Sequence, residues 1–162
     1  MCSSDLMSTT ASRDTTTGTT YEKEISSLLE KFTNIDFHSQ VVIGQKRNEG
    51  EHVVDLLFDG KVKYIKGRKR PISLHEGGVL VSLKYQGVDG TAEEKIPFEF
   101  MKLHHACLDY GYKSAIIVLA GNSGWKWKDY YLSEQFQNDM KQIYPTVRII
   151  SHEQFVEEFL CD

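Results

Sequence analysis

Apolar side chains first recur at helical spacing, with Ile25, Leu28, Leu29 and Phe32 lining one face of a helix that starts behind Thr19 or Thr20 and ends near Thr33. The pattern then changes. Phe37 to Ile43 and His52 to Phe58 are short runs rich in Val, Leu and Phe, and the stretch Gly44 to Gly50 between them supplies Gly and Asn, so the pair reads as a hairpin. Gly78 to Tyr85 predicts a third strand, reached through a basic, Pro-containing connection with a short edge segment around Lys63 to Lys66. After a turn at Gly87 to Gly90, Phe98, Met101, Leu103, Ala106, Leu108 and Tyr110 outline a long helix that stops at Gly111, with Pro97 marking its first turn or a break. A nearly continuous apolar strand over Ser114 to Leu119, a helix over Ser133 to Tyr144, a strand over Val147 to Ile150 and a Ser151-capped helix to Leu160 complete the series.

This order, α-β-β-β-α-β-α-β-α, predicts an α/β protein: a meander joined to strand-helix-strand units, forming a mixed central sheet flanked by helices. Residues 1–18 are rich in Ser and Thr and poor in aliphatics, so they are expected to form a disordered tail outside the core. Residues 19–162 then make one domain, a fitting size for a single core in a chain of 162 residues with 40% apolar content.

Composition narrows the classes of function. No apolar run approaches the eighteen or so residues needed to cross a bilayer, so no membrane partner is expected. Cys2, Cys107 and Cys161 lie far apart without paired spacing, which fits a reducing, cytoplasmic setting better than a disulfide scaffold. The net charge of −4 argues against a general nucleic-acid coat. Distribution matters more than the sum, however. Lys61, Lys63, Lys66, Arg68, Lys69 and Arg70 place six cations within ten residues, a candidate phosphate contact or simply a solvated connection.

Two charges stand out because their neighbours are apolar. Asp55 interrupts Val53-Val54 and Leu56-Leu57-Phe58, where an unpaired carboxylate costs several kcal/mol unless a metal or a base meets it. Lys84 follows Val79, Leu80, Val81 and Leu83 in the third strand, so the two strands together bring opposite charges side by side. Such a pair serves phosphodiester hydrolysis, which needs a carboxylate-held divalent cation, an activated water and a cation near the phosphorus. A structural salt bridge is the plainer alternative.

An acid on the first helix, an Asp in a strand, and a lysine two residues beyond an acid or its replacement in the next strand together resemble the PD-(D/E)xK nuclease superfamily. The resemblance is narrower along Ser82-Leu-Lys84-Tyr-Gln86-Gly-Val-Asp-Gly90-Thr91-Ala92-Glu93-Glu94-Lys95-Ile96-Pro97-Phe98, which is similar to a restriction-endonuclease-like branch. It extends through Gly121 to Tyr131 and covers about residues 19 to 160. It implies that Asp55 is the metal-ligating carboxylate and that Lys84 orients or activates water and stabilises the transition state. Glu22 matches the first-helix acid, with Glu24 as the alternative. Ser82 stands where the common pattern has an acid, and the resemblance implies a substitute glutamate from the following helix: Glu93 first, with Glu94 and Glu99 also in reach. Gln86 shares the strand face of Lys84 and is a candidate phosphate or water contact.

The activity implied is a restriction- or mobile-element-type DNA endonuclease using Mg²⁺, or Mn²⁺ in its place. Its alternative is a catalytically weak nucleic-acid-binding module on the same scaffold, acting beside a methyltransferase or other accessory subunit. Lys66, Arg68, Lys69 and Arg70, together with Lys126 and Lys128 of Gly-Trp-Lys-Trp-Lys, are the candidate DNA contacts. Cleavage of both strands of a duplex favours a homodimer. His104, His105 and Cys107 have zinc-compatible residue types, but burial of the cysteine under a helix is the better reading.

Overall fold

The computed structural model describes residues 18–48, 50–86, 93–121 and 126–161. The Ser/Thr-rich tail up to residue 17, the expected turn at 87–90 and Trp125 lie outside the described residues.

Among the described residues, seven strands form one mixed sheet in the order β3-β4-β1-β2-β5-β6-β7, with helices on both faces. Strands β1 (Phe37–Gln45) and β2 (Glu51–Phe58) are the expected antiparallel hairpin, with a register shift between Val42 and Gly44. The basic connection holds two strands of two residues each, β3 (Val62–Lys63) and β4 (Ile72–Ser73); the expected edge segment at Lys63 to Lys66 is therefore shorter, and β4 runs parallel to β1. Strands β5 (Val79–Tyr85), β6 (Ser114–Ala120) and β7 (Val147–Ser151) are parallel. Six of the seven residues of β6 are buried, because a central parallel strand is covered on both faces.

One face carries α2 (Ile96–Tyr110), the short α3 (Lys128–Tyr131), which the sequence did not suggest, and α4 (Glu134–Ile143). Pro97 sits in the first turn of α2, where its missing N–H costs nothing, and Gly111 ends the helix at φ 75° with its N–H bonded to the Cys107 carbonyl. The other face carries α1 (Gly18–Phe32) and α5 (His152–Phe155), which runs on into a wider turn over Val156–Leu160. Tyr21, Ile25 and Leu29 are the residues α1 buries; Phe32, expected on that stripe, is 53% exposed at the helix end. Ser151 and Gln154 form a reciprocal capping box that starts α5. Among the described residues, no helix is long and apolar enough to cross a membrane.

The alternation of faces breaks at one cross-strand position. Phe37, Leu56 and Phe58 pack on the α1 side, whereas Val41, Ile43 and Val54 pack on the α2 side. In a regular strand Phe37 and Val41 would share a face, as would Val54 and Leu56. Between them stand Gln40, with φ 51°, and Asp55, which fall between the Ser39–Leu56 and Val41–Val54 pairs of the register.

Candidate active site

β2 and β5 pair only through Leu56–Val81, Leu57–Leu80 and Phe58–Val79. Just beyond the last pair, the ladder gives way to a side chain: the Leu83 N–H donates to Asp55 Oδ2 at 2.7 Å. Asp55 therefore fills the fork where the two strands part, and a backbone donor that would otherwise lack its strand partner is satisfied. Burial pushes its carboxyl up to about 6. The Leu83 N–H and Lys84 pull the other way, while the carboxylates of Glu22 and Glu99 add to the rise.

Glu22 reaches the fork from α1. A single group links it to Asp55: the Gln40 side-chain amide donates to Glu22 Oε2 at 2.7 Å and to Asp55 Oδ1 at 3.3 Å. Glu22, rather than Glu24, is thus the helix acid beside Asp55; Glu24 acts electrostatically on Tyr21 instead.

On the other side of the fork, Lys84 Nζ lies 2.8 Å from Glu99 Oε2, which also accepts from the buried Ser82 hydroxyl at 2.6 Å. Lys102, one turn further along α2, meets Glu99 Oε1 at 3.0 Å. Burial alone would raise the Glu99 carboxyl, but the two lysines and the bonds from Lys84 and Ser82 hold it down at about 2. A carboxylate thus stands at Ser82 after all, carried by the helix instead of the strand.

That acid is Glu99 and not Glu93. Glu93 lies in a single 3₁₀ turn (Glu93–Lys95) ahead of α2, where its carboxylate accepts from the Trp127 backbone N–H and its carbonyl from the Tyr131 hydroxyl at 2.9 Å. It ties the β6–α4 connection to the start of α2. Glu94 is exposed. Gln86, just past β5, is buried, with its backbone N–H on the Ala120 carbonyl, which leaves its side chain little surface to offer a phosphate.

Gln40 and Lys102 belong to the site without having been singled out by sequence pattern. Lys102 had a signal, since it lies three residues after Glu99 on the same helix. Gln40 had only the weak one of a polar residue in an apolar strand, because its backbone conformation leaves no mark on residue order.

The candidate DNA contacts divide into two groups. Arg68, Lys69 and Arg70 line a shallow groove with Val42, Val53 and Glu51, two residues along β1 and β2 from Gln40 and Asp55; Arg68 is held by both oxygens of Glu51. Lys66 is exposed in the same connection. Lys126 is exposed, Trp127 is 57% exposed, and Lys128 Nζ reaches the Gly121 carbonyl at 3.4 Å beyond the end of β6. Away from the fork, His104 Nδ1 bonds the Thr146 hydroxyl at 2.7 Å and Cys107 is buried and free, as expected of a packed helix.

The donors at the fork suit a hard divalent cation. Oxygens of Glu22 and Asp55 converge on one amide, and both are of the type that Mg²⁺ and Mn²⁺ take. Among the described residues, no three His, Cys, Asp or Glu side chains are grouped so as to hold a metal ion. Neither a curated protein nor a solved structure matches the chain. The family model of the PD-(D/E)XK nuclease superfamily domain matches residues 13–159, nearly the whole length: the chain belongs to the PD-(D/E)XK nuclease superfamily.

Proposed function

We propose that this nuclease-superfamily chain is a Mg²⁺-dependent DNA endonuclease of restriction or mobile-element type, with its active site at the fork between β2 and β5. The observation that carries the reading is the convergence of Glu22 and Asp55 on one side and the Lys84–Glu99 pair on the other. Glu22 and Asp55 would hold the cation, which supplies Lewis-acid stabilisation of charge on a phosphoryl oxygen when bound. Lys84, poised by Glu99, presents an ammonium to the attacking water or to the developing negative charge on phosphorus. Ser82 and Lys102 fix Glu99, so the lysine is presented in one direction. The cationic groove of Arg68 to Arg70 and the segment Lys126 to Lys128 would take flanking phosphates, with Trp127 available to stack on a base.

A catalytically weak binding module is the second reading, motivated by Ser82 at the acid position. The Glu99 carboxylate beside Ser82 weighs against it, because the negative charge missing from the strand is restored at the same place. Plasmid and oligonucleotide cleavage with Mg²⁺ or Mn²⁺ tests the proposal, together with calorimetric metal titration. Wild type is expected to cut and to bind metal; Asp55→Ala and Lys84→Ala are expected not to cut, and Asp55→Ala to lose metal binding. Metal heat unchanged by Asp55→Ala would sink the reading. Light scattering tests the proposed homodimer, and salt-sensitive DNA binding without cleavage would favour the second reading.

A further inference from the structure

Gln40 has a left-handed φ of 51°, shared by only two other non-glycine residues among those described, Asp59 and His75. For a residue with a Cβ, this conformation costs on the order of 1 kcal/mol and persists where the surroundings enforce it. At this position it accompanies two results. The side chains of β1 change faces between Phe37 and Val41, and the Gln40 amide comes to lie between Glu22 and Asp55. Both partners are carboxylates, which accept, so the N–H edge of the amide faces them and its oxygen faces away.

A small group with positive hydrogens therefore sits where oxygens from α1 and β2 converge. The other acid of the site, Glu99, is already committed to Ser82, Lys84 and Lys102. A hard cation drawing on Glu22 and Asp55 needs further oxygens, and the Gln40 amide has one at the far end of a soft, roughly two-fold torsion.

We propose that Gln40 is a reversible member of the metal site: its N–H holds Glu22 and Asp55 together in the metal-free protein, and its Oε1 turns inward as a ligand when a divalent cation binds. The proposal rests on the nuclease reading above and adds to it a residue from β1 with two exchangeable roles. In the metal-free state Gln40 is a positioning residue that offsets repulsion between two carboxylates. In the loaded state the same side chain supplies a neutral oxygen.

Two variants separate this from a purely structural role. Gln40→Gly adopts φ 51° without strain, so the strand keeps its course while the amide is removed. Gln40→Glu keeps an oxygen donor at the same reach and adds a negative charge. Titration calorimetry with Mn²⁺ alone, and the Mn²⁺-induced rise in melting temperature, are read on both variants and on wild type. Gln40→Gly is expected to weaken Mn²⁺ binding by about tenfold or more, in the range seen when groups around a metal are removed. Gln40→Glu is expected to bind more tightly than Gln40→Gly and to show the larger rise in melting temperature. If Gln40 only shapes the strand, glycine is tolerated at wild-type affinity. Wild-type affinity in Gln40→Gly, or binding by Gln40→Glu no tighter than by Gln40→Gly, overturns the proposal. Wild type that takes up no Mn²⁺ instead sinks the nuclease reading itself, so the two failures are distinguishable.

Discussion

Replacing Asp55 by Asn should make the metal-free protein more stable while abolishing its metal binding. Burial, with Glu22 and Glu99 close by, lifts the Asp55 carboxyl from its ordinary 3.8 to about 6. At about 1.4 kcal/mol per pH unit, holding it ionised at neutral pH costs the fold about 2 to 3 kcal/mol, the lower figure allowing for the part of the carboxylate that meets water. Between pH 4 and pH 6 the native carboxyl still keeps its proton while the unfolded chain has released it. Stability therefore falls as pH rises through that window, and the deficit is complete above it. Asn does not titrate, keeps an oxygen for the Leu83 N–H, and lets the Gln40 amide turn its own oxygen toward the new NH₂. Glu99 contributes in the opposite sense, because its carboxyl is held at about 2: its stabilisation is present above its ordinary 4.5 and lost as pH falls toward 2. That contribution is largely common to both proteins, so it drops out of the comparison to first order. Urea unfolding with EDTA, at pH values from 4 to 8, should show the two proteins nearly equal at pH 4 and Asp55→Asn ahead by about 2 to 3 kcal/mol at pH 8. Mg²⁺ should then close the gap for wild type alone, by about 2.7 kcal/mol at a hundredfold excess over Kd. Asp55→Asn equal to or less stable than wild type at pH 8 without metal would refute the reasoning.

Glu99→Gln leaves Lys84 and Lys102 facing a neutral amide, and should cost about 1 to 3 kcal/mol in urea melts at pH 7 together with cleavage. Ser82→Asp should be poorly tolerated beside Glu99 but partly rescued when combined with Glu99→Gln, a coupling that a double-mutant cycle measures directly. Gly44→Ala would set a Cβ 2.2 Å from the Tyr110 ring at φ 137°, and a thermal melt should report a destabilisation of about 1 to 3 kcal/mol or more. Lys69→Ala combined with Arg70→Ala should weaken DNA binding and flatten its dependence on log salt by about one for each phosphate that is no longer neutralised; fluorescence anisotropy at several salt concentrations that finds the slope unchanged would remove this groove from the interface.

The elements that sequence pattern revealed best are those whose side chains report burial directly. Ser114 to Leu119 reads as apolar because both faces of β6 are covered, and Gly111 ends α2 because a left-handed residue is needed there. Asp55 and Lys84 were visible as charges among aliphatics. Choosing among three glutamates was harder, since Glu93, Glu94 and Glu99 differ only in where the helix starts. The 3₁₀ turn directs Glu93 toward Trp127, and α2 begins at Ile96. A clue was present in the buried stripe of Ile96, Glu99, Phe100 and Leu103, which follows helical spacing and includes one acid. The two-residue strands β3 and β4 are too short for any periodicity to register.

The seven side chains of the fork, Glu22, Gln40, Asp55, Ser82, Lys84, Glu99 and Lys102, come from five separate elements, α1, β1, β2, β5 and α2, and all precede β6. Yet β5 is flanked over its full length by β6, which follows them in the chain, and β7 and α4 are later still. A growing polypeptide therefore contains every reactive side chain well before it has the layers that hold them in place. If the fork cuts nucleic acid as proposed, a chain synthesised only as far as α2 holds these side chains without the strand that flanks β5, and is expected not to cut.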